Sequence, residues 1–397
     1  MPFSPLDLSQ MQQALLQAEQ AIGLSEPNPR VGCVLGHEDG RVLGMGFTQQ
    51  AGGPHAEVMA LRAAAALGHD VRGCTAWVTL EPCAHHGRTP PCCDALVNAG
   101  VRRVVVALQD PFPQVAGAGL ARLRAAGVEV LLAGPSTEEA ALANAALELN
   151  IGFFSRFQRG RPWVRLKAAT SMDSKTALPD GQSQWITGEA ARQDGHAWRR
   201  RAGAILTGLG TALHDDPRLD VRGVPTTVQP RRLLLDTHYR LPPTAKLLAP
   251  PGVLQVFGGP GSPENAQRQA ALQAAGAQLC ELPLVKGRPD LHALMQRLAQ
   301  DGVNELHVEA GAVLNGALLS AGLVDECLVY VAPLWLGEGL PIAALGRLPR
   351  LADATRWQWL DTALVGGDLR IRARLAGPRN VSTPFTDAPS REWGGQR

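Results

Sequence analysis

The order of apolar and polar positions predicts a helix at the start of the chain. Leu8, Met11 and Leu15 recur at helical spacing and give one apolar face. Because Asp is a favoured capping residue and Gly a common stop, we expect this helix to be capped by Asp7 and to end at Gly23. The apolar face would then pack against a sheet.

The rest of the first half alternates between strand and helix patterns. A turn signal at Asp39 and Gly40 separates two stretches of alternating apolar residues, which predicts a β-hairpin. The next segments take helical and strand spacing in turn: HAEVMALRAAAALG, CTAWVTL, CCDALVNAG, VRRVVVAL, GLARLRAAG and VEVLLAG. The predicted order αββαβαβαβ is typical of an α/β three-layer sandwich.

A second α/β pattern follows the basic segment FFSRFQRGRP, which glycine and proline interrupt. A helix is predicted from about residue 187 to residue 203, and the chain closes on a predicted hairpin. Buried-type strands are predicted at WVRLKAAT, AILTGL, RRLLLD, GVLQVFG, VNELHVEA and ECLVYVAP. We expect two domains, residues 1–152 and residues 160–376, the second with a mostly parallel sheet, and a loose polar tail over residues 377–397.

Composition restricts the class of protein. The 397 residues are 45% hydrophobic and 19% charged, with a net charge of +2, which is ordinary for an enzyme and argues against wrapping duplex nucleic acid or an anionic membrane. No stretch approaches about eighteen consecutive apolar residues, and the start MPFSPLDLSQ does not resemble a secretion signal. We expect a cytoplasmic location, where the seven cysteines bind metal or pack.

Four side chains have the spacing of a hydrolytic zinc site. Catalytic zinc has three protein ligands, an open position for water, and a base nearby that is not a ligand. The predicted ligands are His55, Cys83 and Cys92, and the predicted base is Glu57. This is the order of residues in zinc nucleobase deaminases, although eight residues separate the two cysteines here in place of the more common two.

Other assignments of these residues are possible. Cys93 competes with Cys92 for the metal, but adjacent residues at a helix start face different ways, so only one of them is expected to bind. A purely structural zinc would more often have four protein ligands. His85 and His86, in the segment between the cysteines, are either substrate contacts or ordinary loop residues. Cysteines within predicted strands are explained by packing.

Four motifs together resemble the deaminase half of the bifunctional deaminase–reductase family of riboflavin biosynthesis. They are PNPRVGCVL, AGGPHAEVMAL, TLEPCAHHGRTPPC and DPFPQVAGAGLARLRAAGVEV. The resemblance extends over roughly residues 6–375. It implies a cytidine-deaminase-like fold, one Zn²⁺ per chain, and the hydrolytic deamination of 2,5-diamino-6-(5-phosphoribosylamino)pyrimidin-4(3H)-one.

The resemblance also implies roles for single residues of the first half. Glu57 would pass a proton to the departing amine. Asn28 corresponds to a residue that binds the pyrimidine edge or the ribose, and Arg88 is a candidate for the substrate phosphate. The chain departs from the family at Thr48, where histidine is usual, and at Phe112, where asparagine is usual. A substrate contact is therefore expected to be missing or supplied by a neighbour.

The second half has neither of the common nucleotide-binding fingerprints. No G-x-G-x-x-G follows a predicted strand and no G-x-x-x-x-G-K-[ST] occurs, so the sequence supports neither a standard dinucleotide fold nor a P-loop. In HVEAGAVLNGALLSAG, a strand that ends at Glu309 is joined to a helix through a glycine turn. Backbone N–H groups at such a turn favour phosphate binding.

Further segments resemble the reductase half of the same family: RPWVRLKAATSMDSKTAL, GQSQWITGEAARQDGHAWRRRAGAILTGLGTALHDDPRL and VEAGAVLNGALLSAGLVDE. This implies a dihydrofolate-reductase-like fold and an NADPH-dependent reduction of the ribosyl group to ribityl, which gives 5-amino-6-(5-phosphoribitylamino)uracil. The implied NADP-binding residues are Ala169, Trp185, Thr211, Asp215, Thr237, Gly311, Ala312, Val313, Leu314, Asn315, Gly316 and Ala317. The implied substrate-binding residues are Ser183, Arg199, Leu219, Arg222 and Glu309.

Charged residues of this half suit particular tasks. Arg199 and Arg222 would clamp the 5′-phosphate of the substrate. Lys167 and Asp215 are the candidate proton donors, and a structural salt bridge or a helix cap explains them equally well. Ser174 stands where the family prefers glycine, so we expect an altered tight turn beside the cofactor.

Two rival functions compete with the bifunctional enzyme. The first is a zinc nucleobase or nucleic-acid deaminase whose second domain senses a nucleotide without catalysis; the near-neutral charge and the lack of interleaved basic and aromatic residues argue against nucleic acid. The second is a zinc-stabilised binding module, against which Glu57 argues. We expect a bifunctional enzyme that acts on a small phosphoribosyl pyrimidine, binds neither nucleic acid nor membrane, and forms a homo-oligomer.

Overall fold

The structure is a computed structural model of the chain. The residues it describes are 2–84, 90–112 and 116–376. They form two compact units that divide between Gln158 and Arg159. The predictions made for His85, His86, Arg88 and the tail at 377–397 lie outside the described residues.

The first unit is a five-stranded sheet with helices on both faces. Strand β1 pairs antiparallel with β2 and β3, while β3, β4 and β5 are parallel, in the order β2-β1-β3-β4-β5. The predicted three-layer α/β sandwich is confirmed. Its elements are α1 (Pro5–Glu19), β1 (Gly32–Gly36), β2 (Val42–Phe47), α2 (Ala56–Ala66), β3 (Thr75–Val78), α3 (Cys92–Asn98), β4 (Arg103–Val106), α4 (Ala118–Ala125), β5 (Glu129–Leu132) and α5 (Thr137–Arg159).

Helix α1 begins earlier than the sequence predicted. Ser4 is its N-cap, and the hydroxyl of Ser4 and the carboxylate of Asp7 each accept the other's backbone N–H. The prediction that Asp7 caps this helix was wrong, because Pro5 suits the first helical position and the cap lies before it. Asp7 instead accepts from Trp77 Nε1 at 2.8 Å and Arg103 Nη1 at 2.7 Å, which fastens α1 to the sheet.

Two helix ends also differ from the predictions. Helix α1 ends at Glu19, and Gly23, the predicted stop, lies in the following turn with φ = 72°. Helix α5 continues to Arg159 through the segment predicted to be broken. Phe153 is buried on this extension, so the helix continues for as long as its apolar face is packed. It ends before Gly160, which has φ = 66°.

The second unit is a nine-stranded sheet in the order β11-β10-β9-β8-β14-β6-β15-β18-β17. All neighbours from β11 to β15 are parallel, and the hairpin β17–β18 is antiparallel, so the predicted mostly parallel sheet is confirmed. Its elements are β6 (Trp163–Ser171), β7 (Lys175–Ala177), α6 (Glu189–Arg201), β8 (Ala204–Gly208), α7 (Leu209–Asp215), β9 (Arg231–Leu235), β10 (Leu254–Gly258), α8 (Pro263–Ala274), β11 (Gln278–Glu281), β12 (Leu284–Val285), β13 (Arg288–Pro289), α9 (Leu291–Gln300), β14 (Glu305–Val308), α10 (Ala312–Ser320), β15 (Glu326–Ala332), β16 (Leu340–Pro341), β17 (Trp357–Val365) and β18 (Asp368–Leu375).

Helices cover both faces of this second sheet. Leu233 packs in one apolar cluster with α9 and α10, and its neighbour Leu234 packs in another with α7 and α8. Strands buried on both faces read as continuous apolar runs, which is why β8, β9 and β10 show no alternation. In the described part of the chain, no helix is both long enough and apolar enough to cross a membrane.

Candidate active sites

Three side chains in the first unit converge as metal ligands would. His55 is the N-cap of α2, Cys83 lies in the loop after β3, and Cys92 is the first residue of α3. Their ligand atoms all lie within 4.8 Å of one another. His55 Nδ1 is 3.3 Å from Cys92 Sγ and 3.7 Å from Cys83 Sγ. One imidazole and two thiols at these separations fit a zinc ion with a fourth position left for water.

Hydrogen bonds within this group shift the pKa values of its members. The pKa of Cys83 is lowered to about 4, chiefly because the Cys92 thiol donates a hydrogen bond to it. The Cys92 backbone N–H donates to the same sulfur at 3.3 Å. The hydrogen bond with Cys83 raises the pKa of His55. The negative charge of this group is therefore on Cys83, while Cys92 and His55 must release protons to bind a metal.

Cys93 faces away from this group. Its Sγ donates to Pro82 O at 3.2 Å and to Gly119 O at 3.5 Å, and burial raises its pKa to about 12. A thiol with this pKa that donates to two carbonyl groups is a packing residue. The geometry therefore supports Cys92 over Cys93 as the ligand.

Glu57 lies in the first turn of α2, two residues after the N-cap His55. Only 3% of the residue is exposed. Burial raises the pKa of its carboxyl, and the nearby Cys83 raises it further. A buried carboxyl with a raised pKa beside a metal site is suited to taking up and releasing a proton.

Glu81, for which the sequence predicted no role, holds the loop that carries Cys83. It is 4% exposed and accepts four backbone N–H groups. The donors are Asp110, Gly117, Gly119 and Leu120, at 2.9 to 3.2 Å. The sequence feature that could have pointed to Glu81 is its position in TLEPC, two residues before the proposed ligand Cys83. A carboxylate with four N–H partners fixes this loop to the start of α4.

The residues expected to contact the pyrimidine are at the same edge of the sheet. Asn28 lies in the turn before β1, and the antiparallel pairing of β1 with β3 brings this turn to the end of β3 that leads to Cys83. Thr48 is buried, and its hydroxyl accepts the Val31 N–H at 3.3 Å. The Phe112 ring packs 4.7 Å from that of Phe157. Thr48 is therefore engaged by backbone where the family has a histidine.

In the second unit, the implied cofactor residues lie at the carboxyl ends of adjacent parallel strands. Ala169 is near the end of β6, Thr211 is in α7 after β8, Thr237 follows β9, and Gly311 is the N-cap of α10 after β14. A Cβ on Gly311 would be 3.3 Å from Thr211 Oγ1, so these two residues are neighbours. Ligands of open α/β sheets bind at this edge.

The first turns of α10 combine exposure with tight packing. Val313 is exposed, while Leu314 packs beneath Gly208. The Asn315 side chain donates to the carbonyl groups of Ala310 and Ile342 at 2.9 and 2.8 Å. A Cβ on Gly316 would be 2.3 Å from a backbone oxygen, so only glycine fits there. Within the segment Gly311–Ala317, Val313 is therefore available to a ligand at this edge. Leu314, Asn315 and Gly316 instead fix the helix to the residues packed around it.

Glu309, just after β14, is the centre of a charged cluster. The Arg199 guanidinium donates to both of its carboxylate oxygens, with Nη2 at 3.0 Å, and Lys167 Nζ is 3.6 Å away. Burial raises the pKa of Glu309, but the charges of Arg199 and Lys167 hold it well below its usual range. Two donors of the Arg199 guanidinium thus bind Glu309, and the third, Arg199 Nη1, donates to the backbone oxygen of Asp220.

The other implied contacts surround this cluster. Ser183 Oγ donates to Asp215 Oδ1 at 3.5 Å, and burial raises the pKa of Asp215. Trp185 is exposed, with the Arg192 guanidinium 4.6 Å from its ring. Leu219 has φ = 49°. These residues frame the carboxyl edge near α7 and α6.

Ser174 occupies the tight turn between β6 and β7 with φ = 62°. Its N–H donates to Ser171 O at 3.0 Å. The turn therefore forms without the glycine that the family prefers. A residue with a Cβ pays about 1 kcal/mol for this left-handed conformation.

Comparison with known proteins agrees with both sites. Residues 5–108 match the cytidine and deoxycytidylate deaminase zinc-binding region, and residues 162–368 match the RibD C-terminal domain. Fold and site together define a zinc-dependent deaminase joined to a reductase. The chain belongs to the RibD family of bifunctional riboflavin biosynthesis enzymes, because it matches members over nearly their whole length.

Particular relatives show the extent of the match. The riboflavin biosynthesis protein RibD of Escherichia coli is 41% identical over 372 residues, which is 90% of this chain and 96% of that protein. The structure of RibD from Acinetobacter baumannii is 41% identical with a TM-score of 0.82, and covers 94% of this chain and 99% of its own. A deaminase/reductase from Thermotoga maritima has a TM-score of 0.81 at 28% identity, with coverage of 94% and 99%.

The predicted function is confirmed by these matches. The protein is a bifunctional deaminase and reductase of riboflavin biosynthesis, with zinc and NADPH as its cofactors. The rival in which the second domain only senses a nucleotide is wrong, because that domain matches the reductases.

Proposed function

We propose that His55, Cys83 and Cys92 hold the zinc and that Glu57 carries the proton in the deamination. The observation that carries this proposal is a buried carboxyl with a raised pKa in the helix turn that follows one ligand. When bound, zinc supplies the activation of a water molecule. Glu57 accepts a proton from that water and delivers it to the departing 2-amino group, which leaves as ammonia.

The substrate is 2,5-diamino-6-(5-phosphoribosylamino)pyrimidin-4(3H)-one. Asn28 binds its pyrimidine edge or ribose. Arg88 remains the candidate for its phosphate in this site. Thr48 does not replace the family's histidine as a substrate contact, since its hydroxyl is bound to the backbone of Val31.

In the second unit, NADPH supplies a hydride to C1′ of the ribosyl group. We assign its binding to the carboxyl edge of the sheet: Ala169, Trp185, Thr211, Asp215, Thr237 and Gly311–Ala317. Support comes from the start of α10, where backbone N–H groups point out of the helix as a phosphate site requires. The exposed Trp185 ring is suited to stacking on a flat group.

The sugar phosphate binds beside Glu309. Its carboxylate, held by Arg199 and Lys167, accepts hydrogen bonds from the ribose hydroxyls. Arg222, whose side chain is half exposed, binds the phosphate. The Arg199 guanidinium donates to both carboxylate oxygens of Glu309. We therefore propose that Arg199 orients Glu309 in addition to contacting the phosphate.

The experiment that tests both activities supplies the diaminopyrimidine ribotide to the purified zinc protein, with and without NADPH. Ammonia should form in both mixtures, and NADP⁺ only in the second. Ammonia release that requires NADPH would contradict two independent sites. NADPH oxidation without prior ammonia release would contradict the order in which deamination precedes reduction.

The domain functions follow the two units. We propose that residues 1–152 are the deaminase domain and residues 160–376 the reductase domain. We also propose a cytoplasmic location, because all seven cysteines are unbridged and two of them face the metal site.

We propose a homo-oligomer, formed through the hairpin β17–β18. Strand β17 is last in the sheet order, and apolar side chains on the hairpin, Trp359 and Leu364 above all, are more than 70% exposed. Long apolar edge strands are sites of pairing between chains. A second copy of this chain is the partner that this edge would take.

A further inference from the structure

We propose that Arg218 is a further phosphate-binding residue of the reductase site and that Asp220 positions it. The proposal deepens the proposed function, on which it rests: it concerns how the same site recognises the 5′-phosphate. From the sequence, Arg199 and Arg222 are expected to bind the phosphate, and neither Arg218 nor Asp220 has an expected role.

Asp220 is a carboxylate shared by two arginines. Its Oδ2 accepts from Arg218 Nε at 3.0 Å, and its Oδ1 accepts from Arg222 Nη1 at 3.0 Å. The backbone oxygen of Asp220 accepts from Arg199 Nη1 at 2.9 Å. The Asp220 side chain is only 8% exposed, whereas those of Arg218 and Arg222 are 41% and 53% exposed. One buried acid therefore aligns two guanidinium groups whose other donors face solvent.

The backbone supports this arrangement. Leu219, between Arg218 and Asp220, is buried and has φ = 49°, a conformation that costs a bulky residue free energy. The turn puts Arg218 and Arg222 on the same carboxylate, although they are four residues apart outside a helix. Strained backbone that persists in a folded protein is concentrated at ligand sites.

The surrounding charge suits a phosphate monoester. Arg199, Arg218, Arg222 and Lys167 carry four positive charges, and Asp220 and Glu309 carry two negative ones. A further cation, Arg232, donates to the carbonyl groups of Leu247 and Pro250, so it adds charge but directs those donors elsewhere. Among the side chains that pair with Asp220 or Glu309, positive charges exceed negative ones by two, and a phosphate monoester carries about −2 at pH 7.

His196 also lies beside these arginines, and its imidazole is uncharged at neutral pH. Its Nδ1 accepts the backbone N–H of Arg222 at 3.1 Å. Burial, together with the charges of Arg199 and Arg222, lowers its pKa to about 4. The ring thus adds no charge at neutral pH and holds the start of the Arg222 segment in place. The excess of positive charge comes from the arginines and Lys167.

The test compares Arg218→Gln and Arg218→Lys with wild type, on the phosphorylated reductase substrate and on its 5′-dephosphorylated form. If Arg218 binds phosphate, Arg218→Gln raises KM for the phosphorylated substrate about tenfold, with kcat nearly unchanged. KM for the dephosphorylated form stays at the wild-type value. Arg218→Lys recovers most of the loss, since it keeps the charge.

Arg350→Ala is the matched control. Arg350 is also an exposed arginine paired with an aspartate nearby in sequence, Asp353, and it should change neither KM. Ribose 5-phosphate provides a second measurement without NADPH: it should raise the melting temperature of wild type and of Arg350→Ala, and much less that of Arg218→Gln. Ammonia release by each variant checks that the chain is folded.

Two results would overturn the proposal. One is a KM of Arg218→Gln within twofold of wild type on the phosphorylated substrate. The other is an equal rise of KM on both substrates, which would mean a general distortion of the site. A wild-type protein that oxidises no NADPH with the phosphorylated substrate would instead contradict the proposed reductase function itself.

Discussion

Glu57 is the residue on which the proposed deamination depends most directly. Replacing it by glutamine keeps the shape of the side chain and removes its ability to carry a proton. Glu57→Gln should bind zinc as wild type does and lose about 10³-fold in the rate of ammonia release. Metal analysis and an ammonia assay check this, and deamination at the wild-type rate would show that Glu57 is not the base.

Cys83, a proposed ligand, and Cys93, a buried cysteine beside the site, give a paired test of the ligand set. Cys83→Ser should lose zinc, because a serine hydroxyl is a poor ligand for this ion. Cys93→Ser should keep zinc, since Cys93 Sγ donates to two backbone oxygens away from the site. Zinc content after dialysis is the measurement, and equal loss in both variants would falsify the choice of Cys92 over Cys93.

Ser174 carries a conformational cost that a single substitution relieves. At φ = 62° a glycine has no Cβ to strain, so Ser174→Gly should stabilise the second unit by about 0.5 to 1 kcal/mol. Denaturant unfolding of wild type and variant gives the difference. A destabilised variant would mean that the serine makes a contact worth more than the strain.

The position of α1 depends on one buried ion pair. Burial raises the pKa of Asp7, but hydrogen bonds from Arg103, Ser4 and Trp77 lower it to about 2 overall. Its contribution to stability is therefore full above about pH 4 and is lost as pH falls from about 4 to 2. Asp7→Asn should cost about 2 kcal/mol at pH 7 and about half of that at pH 3, which lies midway through this range. Denaturant unfolding at both pH values measures the difference, and a cost independent of pH would contradict this account.

The hairpin β17–β18 gives a test of the oligomer. A charge at its most exposed apolar position, Leu364→Lys, should lower the mass of the particle measured by light scattering after size exclusion. Leu67→Lys, at an exposed leucine of α2's C-cap, is the control and should leave the mass unchanged. A monomeric wild type would contradict the proposal outright.

The sequence predicted helices and strands well where one period dominates. The strands β8, β9 and β10 are mostly apolar on both sides because both sheet faces are covered, and they were recognised as strands. The sequence predicted the ends of helices less well. The stop of α5 at Arg159 depends on the packing of Phe153, a tertiary contact that no local pattern contains. The start of α1 is a local feature of Ser4 and Pro5, and the prediction missed it because it placed the cap at Asp7.

The two units carry different chemistry, and one substitution should separate them. Arg199→Ala removes the cation that orients Glu309, so it should raise the reductase KM at least tenfold and leave ammonia release unchanged. Coupled assays for NADP⁺ and ammonia on the same preparation provide the measurement. A deaminase defect of similar size would argue against independent sites.

For the chain as a whole, the proposed metal ligands could be picked out from the sequence because their order is specific and because His55 and Cys92 stand at predicted helix starts. Glu81 and Asp220 were not, since nothing in the sequence shows that Glu81 gathers four N–H groups or that Asp220 joins two arginines. Such roles depend on how the loops fold. They become visible only when segments that lie apart in the sequence come into contact. The fork of Arg199 on Glu309 is a contact of the same kind.

As proposed ligands, His55 and Cys92 would let a bound zinc ion stabilise the fold in addition to its part in the reaction. His55 precedes α2, Cys92 opens α3, and neither helix has a capping hydrogen bond from its N-cap side chain within the described residues. One ion bound to both residues would hold these two helix starts together. Stripping zinc with a chelator should therefore fray both helices together, and amide exchange should quicken in the first turns of α2 and α3 while α8 and α9 keep their protection.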